Sequence, residues 1–247
     1  MPAALHISTT TLDKRQARVD VLSFFTVIRN AYANHSLEAS HRILEKHLLR
    51  FVSKQNAILY IDGDPAQEKL HTAAARKAKR QKAATRCEDD LKMLNDRIEG
   101  GGRVRKQHFT AIKSSLASMW LWSAPSRQAF IEYMQDAGWT IRPCETEADV
   151  AIGSDCTPDD VVLSTDSDMI AYPTIFKLWR PISNSLLLEY TMADICTLLN
   201  LSRAQLTALA VVSSNDYNRN IYSLGPATNL SIFKSFESHG NIQTPCK

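Results

Sequence analysis

The chain has 247 residues, 44% of them hydrophobic and 22% charged, with a formal net charge of +3 at pH 7. This composition is ordinary for a globular protein and suffices for one large domain or two small ones. No apolar run approaches the roughly 20 residues of a membrane span, and the N-terminus has no signal-peptide apolar region, so we expect no membrane partner. We interpret the cysteines, which are odd in number and lack zinc-ligand spacing, as reduced intracellular thiols: Cys87, Cys144, Cys156, Cys196 and Cys246.

Predicted strands and helices alternate along the chain. Up to residue 122 we predict strands at 17–21 and 57–61 and helices at 22–33, 37–52, 66–98 and 105–120. Beyond it we predict strands at 139–143, 159–165, 174–179 and 186–190, and helices at 123–138, 144–153, 191–200, 202–212 and near the C-terminal end. The helix at 37–52 is amphipathic, with these residues on one face: Leu37, Leu44, Leu48, Phe51 and Val52. The alternation implies an α/β fold with a mostly parallel sheet covered on both faces.

Basic residues are concentrated in one part of the chain. Between residues 69 and 86 there is no acid but there are seven basic residues: Lys69, Arg76, Lys77, Lys79, Arg80, Lys82 and Arg86. A second cluster follows: Arg103, Arg105, Lys106 and Lys113. Such segments suit a polyanion such as nucleic acid, although a solvated helix face is the alternative. The absence of interspersed acids counts against that alternative, because helical surfaces usually mix charges of both signs.

Acidic residues follow several of the predicted strands. They are Asp20, Asp62, Glu145 with Glu147, and Asp166 with Asp168, and Asp216 follows an apolar helix. Parallel strands place their C-terminal ends at one edge of a sheet, so these carboxylates are expected to converge there. Like charges this close repel unless cations bind, and the arrangement suits two metal ions about 3.5–4 Å apart that act on a phosphodiester.

Each of these acids also has a simpler interpretation. The pair Asp166 and Asp168, in VVLSTDSDMIAYP, is typical of a turn as well as of a divalent-cation site. Asp20 and Asp62 are equally compatible with turn or cap positions. Glu145, Glu147 and also Asp149 are compatible with first-turn acids that the helix dipole favours. The combination of all of them is what favours the metal site.

Several motifs resemble those of the flap-endonuclease/XPG group of structure-specific 5′ nucleases. The stretch YIDGDPAQEKLHTAAAR resembles a family stretch in which a strand ends in Asp-Gly, followed by Pro and by basic residues on the next helix. CETEADVAIG is similar to the Glu-Ala-Glu-Ala motif, STDSDMIAY to the Asp-x-Asp motif and VDVLSFF to the first-strand Asp motif. VVSSNDYNRNIYSLGPATNL resembles the helix–two-turn–helix segment that grips duplex backbone.

The resemblance implies a PIN-like fold with a mostly parallel central sheet, a helical arch and a helix–two-turn–helix segment. It implies that two Mg²⁺ ions, with Mn²⁺ as a substitute, are held by Asp20, Asp62, Glu145, Glu147, Asp166, Asp168 and Asp216. Lys69 and Arg76 are then expected to stabilise charge on the scissile phosphate. The residues expected to contact nucleic acid elsewhere are Lys77, Lys79, Arg80, Lys82, Arg86, Arg103, Arg105, Lys106 and Gly225.

The sequence departs from the family pattern in three places. The opening MPAALHISTTTLDKRQ lacks the family's Met-Gly start, Asp216 follows Ser-Asn rather than Gly-Ser, and the Gly-x-Gly-Pro turn reads Ser-Leu-Gly-Pro. The loss of one glycine is expected to weaken phosphate contacts at that turn. No clamp-binding tail is recognised. These departures keep two alternatives open: a catalytically inactive relative that acts as a nucleic-acid-binding or scaffold module, and a PIN-type ribonuclease.

We predict one nuclease domain over residues 1–247. It divides into an N-terminal nuclease part at 17–65, a basic arch at 66–122, an internal nuclease part at 123–200 and a helix–two-turn–helix-like segment at 201–240. The predicted substrate is flapped or branched DNA in replication or repair, with RNA as the alternative. The protein is predicted to be a nuclear monomer, and a mitochondrial location stays open.

Overall fold

The computed structural model describes residues 3–6, 15–64, 67–183, 186–213 and 225–237. Its centre is a seven-stranded sheet formed within these ranges. In chain order the strands are β1 (Ala3–His6), β2 (Ala17–Asp20), β3 (Ala57–Ile61), β4 (Thr140–Pro143), β5 (Val161–Leu163), β6 (Lys177–Ser183) and β7 (Leu186–Thr191). The helices are α1 (Phe25–Asn34), α2 (Leu37–Leu48), α3 (Leu70–Glu99), α4 (Lys106–Met119), α5 (Ala124–Asp136), α6 (Ala148–Asp155), α7 (Met192–Leu199), α8 (Arg203–Val212) and α9 (Pro226–Glu237).

The order of the strands determines where a site can form. The order across the sheet is β1-β7-β6-β5-β2-β3-β4, and the five strands from β6 to β4 are parallel to one another. The chain moves from β2 outward through β3 to β4, and then returns to the other side of β2 with β5 and β6. The strand order therefore reverses between β2 and β5, and ligands of open parallel sheets bind beyond the carboxyl ends of the strands at such a point.

Two apolar clusters cover the two faces of the sheet. Along β5, the side chains of Val161 and Leu163 belong to one cluster, while Val162 between them belongs to the other. The first cluster includes α2 and α5 through Leu44 and Phe130, and the second includes α6. Successive side chains of a strand point to opposite faces, so burial on both faces accounts for the uninterrupted apolar run of β5. The predicted mostly parallel sheet with two covered faces is confirmed.

Helices α3 and α4 form a long hairpin beside the sheet. They pack against each other, and the residues of α3 that are buried or half-buried recur at helical spacing, as at Arg80, Ala84, Cys87 and Leu94. The turn between the two helices contains Gly101, whose φ of 70° explains the glycine there. Both basic clusters predicted to form an arch lie on this hairpin or on the turn within it.

Several details of the prediction were wrong, among them the start of α6 at Ala148 rather than at residue 144 and the extent of β6. The N-terminal strand β1, which pairs antiparallel with β7, was not predicted. Leu37 is 50% exposed, because it begins α2 before the helix reaches the core. Phe51 and Val52 are buried as predicted but lie after the end of α2.

Within the described ranges no single helix is long and apolar enough to span a membrane. Helices α7 and α8 satisfy the length and composition criteria only when taken together, and they are bent by 83° relative to each other. The division of the chain into four functional parts stays a prediction.

Candidate active site

A cavity of about 770 Å³ opens at the carboxyl ends of β2, β3 and β5. Its acidic lining residues, called the acidic wall below, are Asp20, Asp62, Asp64, Glu147, Asp149 and Asp166. Its basic lining residues, called the basic wall below, are Lys69 just before α3, Arg76 and Arg80 of α3, and Arg127 of α5; aromatic residues, among them Phe25, Trp120 and Trp122, line it as well. The cavity thus brings together four of the predicted acids and both predicted catalytic basic residues.

Asp20 is the most buried of these acids, with 7% of its surface exposed. Ser164 donates a hydrogen bond to its Oδ2 at 2.8 Å, and the backbone N–H of Ser23 donates to its Oδ1 at 3.2 Å. Burial is the largest cause that raises its pKa, to about 7, and the charges of Asp62 and Asp166 raise it further. The two hydrogen bonds oppose the shift but are outweighed.

Burial of Asp20 has a consequence for stability. A carboxyl group with a raised folded-state pKa stabilises the folded protein below its ordinary value of 3.8, and that contribution is lost as the pH rises towards about 7. In EDTA, the free energy of unfolding should therefore fall by up to about 3 kcal/mol between pH 5 and pH 8. Urea titrations across this range measure it. Asp20→Asn should flatten the profile, and an unchanged profile in that variant would contradict the assignment.

Asp62 follows β3 and reaches the cavity from the side of β4. Its Oδ1 accepts a hydrogen bond from the backbone N–H of Ala148 at 3.2 Å, at the start of α6. Its Oδ2 is buried and has no hydrogen-bond partner among the described residues. Burial is the main cause that raises its pKa, and the charges of Asp149 and Glu147 act in the same direction. A buried carboxylate oxygen without a donor is costly unless a cation or water satisfies it.

Gly63 fixes the backbone that presents Asp62. A Cβ at this position would lie 2.2 Å from the carbonyl oxygen of Cys144 and 2.3 Å from that of Glu145. The Gly63 N–H donates to the carbonyl of Thr146 at 2.6 Å, and the next N–H, of Asp64, donates to that of Glu145 at 3.1 Å. The chain after β3 and the chain after β4 are therefore joined directly below the acidic wall.

Gly63→Ala should separate these two segments and destabilise the protein by about 1–3 kcal/mol, because the atoms in conflict are backbone atoms that cannot rotate away. Thermal or urea unfolding measures the loss. Gly225→Ala is the matched control, since a Cβ there would meet no described atom within 4 Å and its φ is not in the left-handed region. Equal stability of the two variants would contradict the role given to Gly63.

Glu147 is the N-cap residue of α6, and its carboxylate forms an ion pair with Lys69. Both side chains are largely buried, with 15% and 12% of their surfaces exposed. From the sequence, we expected cations alone to relieve the repulsion among these acids, and this ion pair shows that a lysine relieves part of it. Lys69 thus contacts the acidic wall as well as the cavity.

Asp149, two residues further along, also lies on the cavity wall. Its Oδ2 accepts a hydrogen bond from the hydroxyl of Tyr172 at 3.0 Å. Its pKa is raised, mainly by burial and also by Glu147, while the charge of Lys69 and the Tyr172 hydrogen bond lower it. The sequence suggested only a helix-dipole role for Asp149, because nothing in the sequence places Tyr172 beside it.

The pair Asp166 and Asp168 combines both interpretations left open by the sequence. The Oδ1 of Asp166 accepts a hydrogen bond from the backbone N–H of Asp168 at 2.9 Å, as in a turn closed by an aspartate side chain. Asp166 nevertheless lines the cavity and raises the pKa of Asp20. Asp168 begins a short 3₁₀ helix and does not line the cavity.

The outcomes for the other two predicted acids, Glu145 and Asp216, differ. The side chain of Glu145 is exposed and does not line the cavity, although its backbone is hydrogen-bonded to that of Asp64, which does. Asp216 lies outside the described residues. The roles of Glu145, Asp168 and Asp216 as metal ligands stay predictions.

The basic wall differs in part from the one predicted. Arg76 and Arg80 are four residues apart on one side of α3, Lys69 is the N-cap residue of that helix, and all three line the cavity. Arg80 had been assigned to nucleic-acid contacts away from the acids. Arg127, in the first turn of α5, was not predicted, because its neighbourhood in the sequence contains no other basic residue.

The remaining predicted nucleic-acid contacts lie outside the cavity. These exposed residues are on α3, on the turn that follows and at the start of α4: Lys77, Lys79, Lys82, Arg86, Arg103, Arg105 and Lys106. Gly225 immediately precedes α9 and accepts a hydrogen bond from the N–H of Asn229 at 3.0 Å. Contact of these residues with nucleic acid stays a prediction.

The donor chemistry of the acidic wall fits a hard divalent cation. All of its candidate ligands are carboxylates, and the unpartnered Oδ2 of Asp62 and the raised pKa of Asp20 are both features that a nearby cation would relieve. No three acidic, histidine or cysteine side chains in the described part of the chain converge closely enough to bind one ion together.

Comparison with known proteins gives the class of fold. The sequence matches no known family profile and no characterised protein. Solved structures do match. The catalytic core of Rad2 in complex with a DNA substrate is 15% identical, with a TM-score of 0.58 over 95% of this chain and 63% of that one. Flap endonuclease-1 from Methanococcus jannaschii is 13% identical, with a TM-score of 0.58 over 96% and 76% of the two chains.

A third structure, T5 5′-exonuclease with bound divalent zinc ions, is 15% identical, with a TM-score of 0.50 over 90% of this chain and 76% of that one. The chain therefore has a flap-endonuclease/XPG-type fold, as its motifs predicted. It spans less than two thirds of the length of the Rad2 catalytic core.

Proposed function

We propose that the protein is a divalent-metal-dependent nuclease that hydrolyses phosphodiester bonds in flapped or branched DNA. The observation that carries the proposal is the cavity itself, which is lined by Asp20, Asp62 and Asp166 from three adjacent strand ends and also by Arg76 and Arg80. Carboxylates on one side and fixed cationic groups on the other suit a phosphodiester that must be held against metal ions. The likeness to Rad2 bound to DNA supports the same substrate class.

The residues that would hold the ions, directly or through water, are Asp20, Asp62, Glu147, Asp149 and Asp166, with Asp168, Glu145 and Asp216 as the further candidates from the sequence. Two bound Mg²⁺ ions, or Mn²⁺ in their place, would supply an activated water and stabilisation of the leaving oxygen. The protein supplies a fixed set of carboxylates, two of which are too buried to be hydrated freely.

The basic wall binds the substrate's phosphate. Arg76, Arg80 and Arg127 bring guanidinium groups to the cavity from two different helices, and guanidinium matches the geometry of phosphate oxygens. Lys69 sits between this wall and the acids, because it pairs with Glu147. It is therefore placed to respond to charge that develops on the phosphate next to the acidic wall.

Aromatic side chains also line the cavity. Phe25 and Trp120 are in edge-to-face contact with ring centroids 5.3 Å apart, and Phe25 is 37% exposed. Such rings restrict water near the reacting phosphate and offer a surface on which a base can rest. The exposed basic residues of the α3–α4 hairpin would guide the rest of the strand, as an arch or clamp.

One observation favours a non-catalytic alternative. Lys69 already neutralises Glu147 without a metal ion, so the same fold could serve as a nucleic-acid-binding module. We propose a nuclear location and a monomeric state for either case, on the strength of the predicted role in replication or repair.

The proposal is tested with end-labelled flap, nicked duplex, intact duplex and single-stranded DNA, and with RNA of matched sequence, each in Mg²⁺, Ca²⁺ and EDTA. We expect cleavage of the flap in Mg²⁺ only, with binding but no turnover in Ca²⁺ because of the demanding geometry of catalysis. Cleavage in EDTA would contradict the mechanism. Binding without cleavage in every metal would establish the non-catalytic alternative, and cleavage of RNA alone the ribonuclease.

A further inference from the structure

The loop between β5 and β6 is held by contacts with two helices, and the proposed function assigns no role to these contacts. It runs from the 3₁₀ helix Asp168–Ala171 to Ile175, and two of its side chains, Met169 and Ile175, are fully buried. One fastening is to α8 and the other is to α6, and α6 carries Asp149 on the cavity wall.

Arg203 forms the first fastening. It is the first residue of α8, and its guanidinium donates hydrogen bonds to three backbone carbonyls of the loop: to Ile170 at 2.8 Å, to Ile175 at 3.2 Å, and to Tyr172. One planar side chain thus fixes the loop on both sides of Tyr172. Helix α8 is itself held at this end, since Ser202 and Gln205 form a capping box around it.

Tyr172 forms the second fastening. Its ring packs so closely on Gly153 of α6 that a Cβ there would lie 2.3 Å from a ring carbon. Thr174 adds a hydrogen bond to the carbonyl of the same glycine. The ring position sets the direction of the hydroxyl, which donates to Oδ2 of Asp149 at 3.0 Å.

These contacts form a continuous series from the N-terminal end of α8 to the cavity. We propose that Arg203 and Tyr172 are positioning residues: Arg203 fixes the loop, the loop fixes Tyr172, and the Tyr172 hydroxyl holds the Asp149 carboxylate in the orientation that faces the cavity. This proposal rests on the proposed function, since it assigns Asp149 a role towards the bound cation. Removing a hydrogen bond that orients a metal ligand commonly lowers metal affinity or activity by about 10–100-fold.

The test begins with Tyr172→Phe, which keeps the ring against Gly153 and removes only the hydroxyl. Tyr133→Phe is the matched control, because the Tyr133 hydroxyl also donates to a carboxylate, that of Glu45 at 2.9 Å, away from the cavity. Mn²⁺ affinity is measured by electron paramagnetic resonance on the full chain without nucleic acid, and the single-turnover cleavage rate on flap DNA. We expect Tyr172→Phe to weaken Mn²⁺ binding and slow cleavage about 10–100-fold with unchanged DNA affinity, and Tyr133→Phe to change neither.

Double variants separate positioning from general stability. Tyr172→Phe should have no further effect on Mn²⁺ affinity in an Asp149→Asn background, because the hydroxyl acts through that carboxylate. Arg203→Met should resemble Tyr172→Phe, and Arg203→Lys should recover part of the loss. The proposal would be overturned if the effects of Tyr172→Phe and Asp149→Asn on Mn²⁺ affinity were additive. It would also be overturned if Tyr172→Phe and Tyr133→Phe bound Mn²⁺ equally well.

The outcomes for the two proposals differ. If the wild-type protein binds Mn²⁺ and cleaves DNA while Tyr172→Phe behaves like the wild type, only the positioning chain is wrong. If the wild-type protein neither binds Mn²⁺ nor cleaves any substrate, the proposed function fails, and the role assigned to Tyr172 fails with it.

Discussion

Asp62→Asn is expected to lower the single-turnover rate of flap cleavage by more than about 100-fold while leaving DNA affinity nearly unchanged. The reason is that its Oδ2 is buried and without a partner among the described residues, so it is the oxygen most in need of a cation. Removing a residue that only hydrogen-bonds to a metal ligand already lowers metal affinity or activity about 10–100-fold, and removing a direct ligand should have a larger effect. Rapid-quench kinetics at saturating enzyme, with affinity measured separately in Ca²⁺, determine both quantities.

Glu145→Gln is the matched control for Asp62→Asn. Glu145 lies on the segment that packs against Gly63, next to Asp62, but its side chain is exposed and outside the cavity. We therefore expect a far smaller loss of rate in Glu145→Gln. A loss as large as that of Asp62→Asn would show that Glu145 turns towards the metal in the complex, as the family resemblance predicted.

The second large effect concerns the basic residues of α3. Arg76→Ala and Arg80→Ala should each lower the single-turnover rate by about 10²–10³, because both side chains line the cavity where the phosphate is expected to bind. Lys79 and Lys82 are exposed on the same helix but outside the cavity. Their replacement by alanine should weaken binding and reduce its salt slope by about 0.7–0.9 per contact, with the bound-state rate nearly kept.

Arg80 is the residue for which the sequence and the structure lead to different expectations. The sequence alone grouped Arg80 with Lys79 and Lys82, whereas the structure groups it with Lys69 and Arg76. If Arg80→Ala changes only affinity, the basic wall has no catalytic role at that position. If Lys79→Ala reduces the rate as much as Arg80→Ala does, the hairpin acts as a uniform electrostatic grip instead.

The acids at the strand ends were predictable because parallel strands impose a shared edge. Asp20, Asp62 and Asp166 each follow an apolar run, and β2, β3 and β5 turned out to be neighbours in the sheet. This part of the site follows from strand patterning and the rule for parallel connections alone. The overall fold was predictable for the same reason, with help from the family resemblance.

Other features depended on packing between distant segments and were not readable from the sequence. Asp149 gains its place from Tyr172, 23 residues away along the chain, and Arg127 reaches the cavity only because α5 packs beside β4. Glu145 has the family spacing, but its side chain is exposed and does not line the cavity, which the spacing alone does not reveal. The strand β1 escaped prediction because four residues at a chain end carry too little pattern.

The central claim is that the acidic wall holds divalent metal ions. Diffraction from crystals soaked in Mn²⁺, recorded near the manganese absorption edge, tests it without reference to activity. We predict anomalous density inside the cavity, within coordination distance of Asp62 and at least one of Asp20 and Asp166, and its disappearance in Asp62→Asn. A cavity without anomalous density at saturating Mn²⁺ would contradict the account.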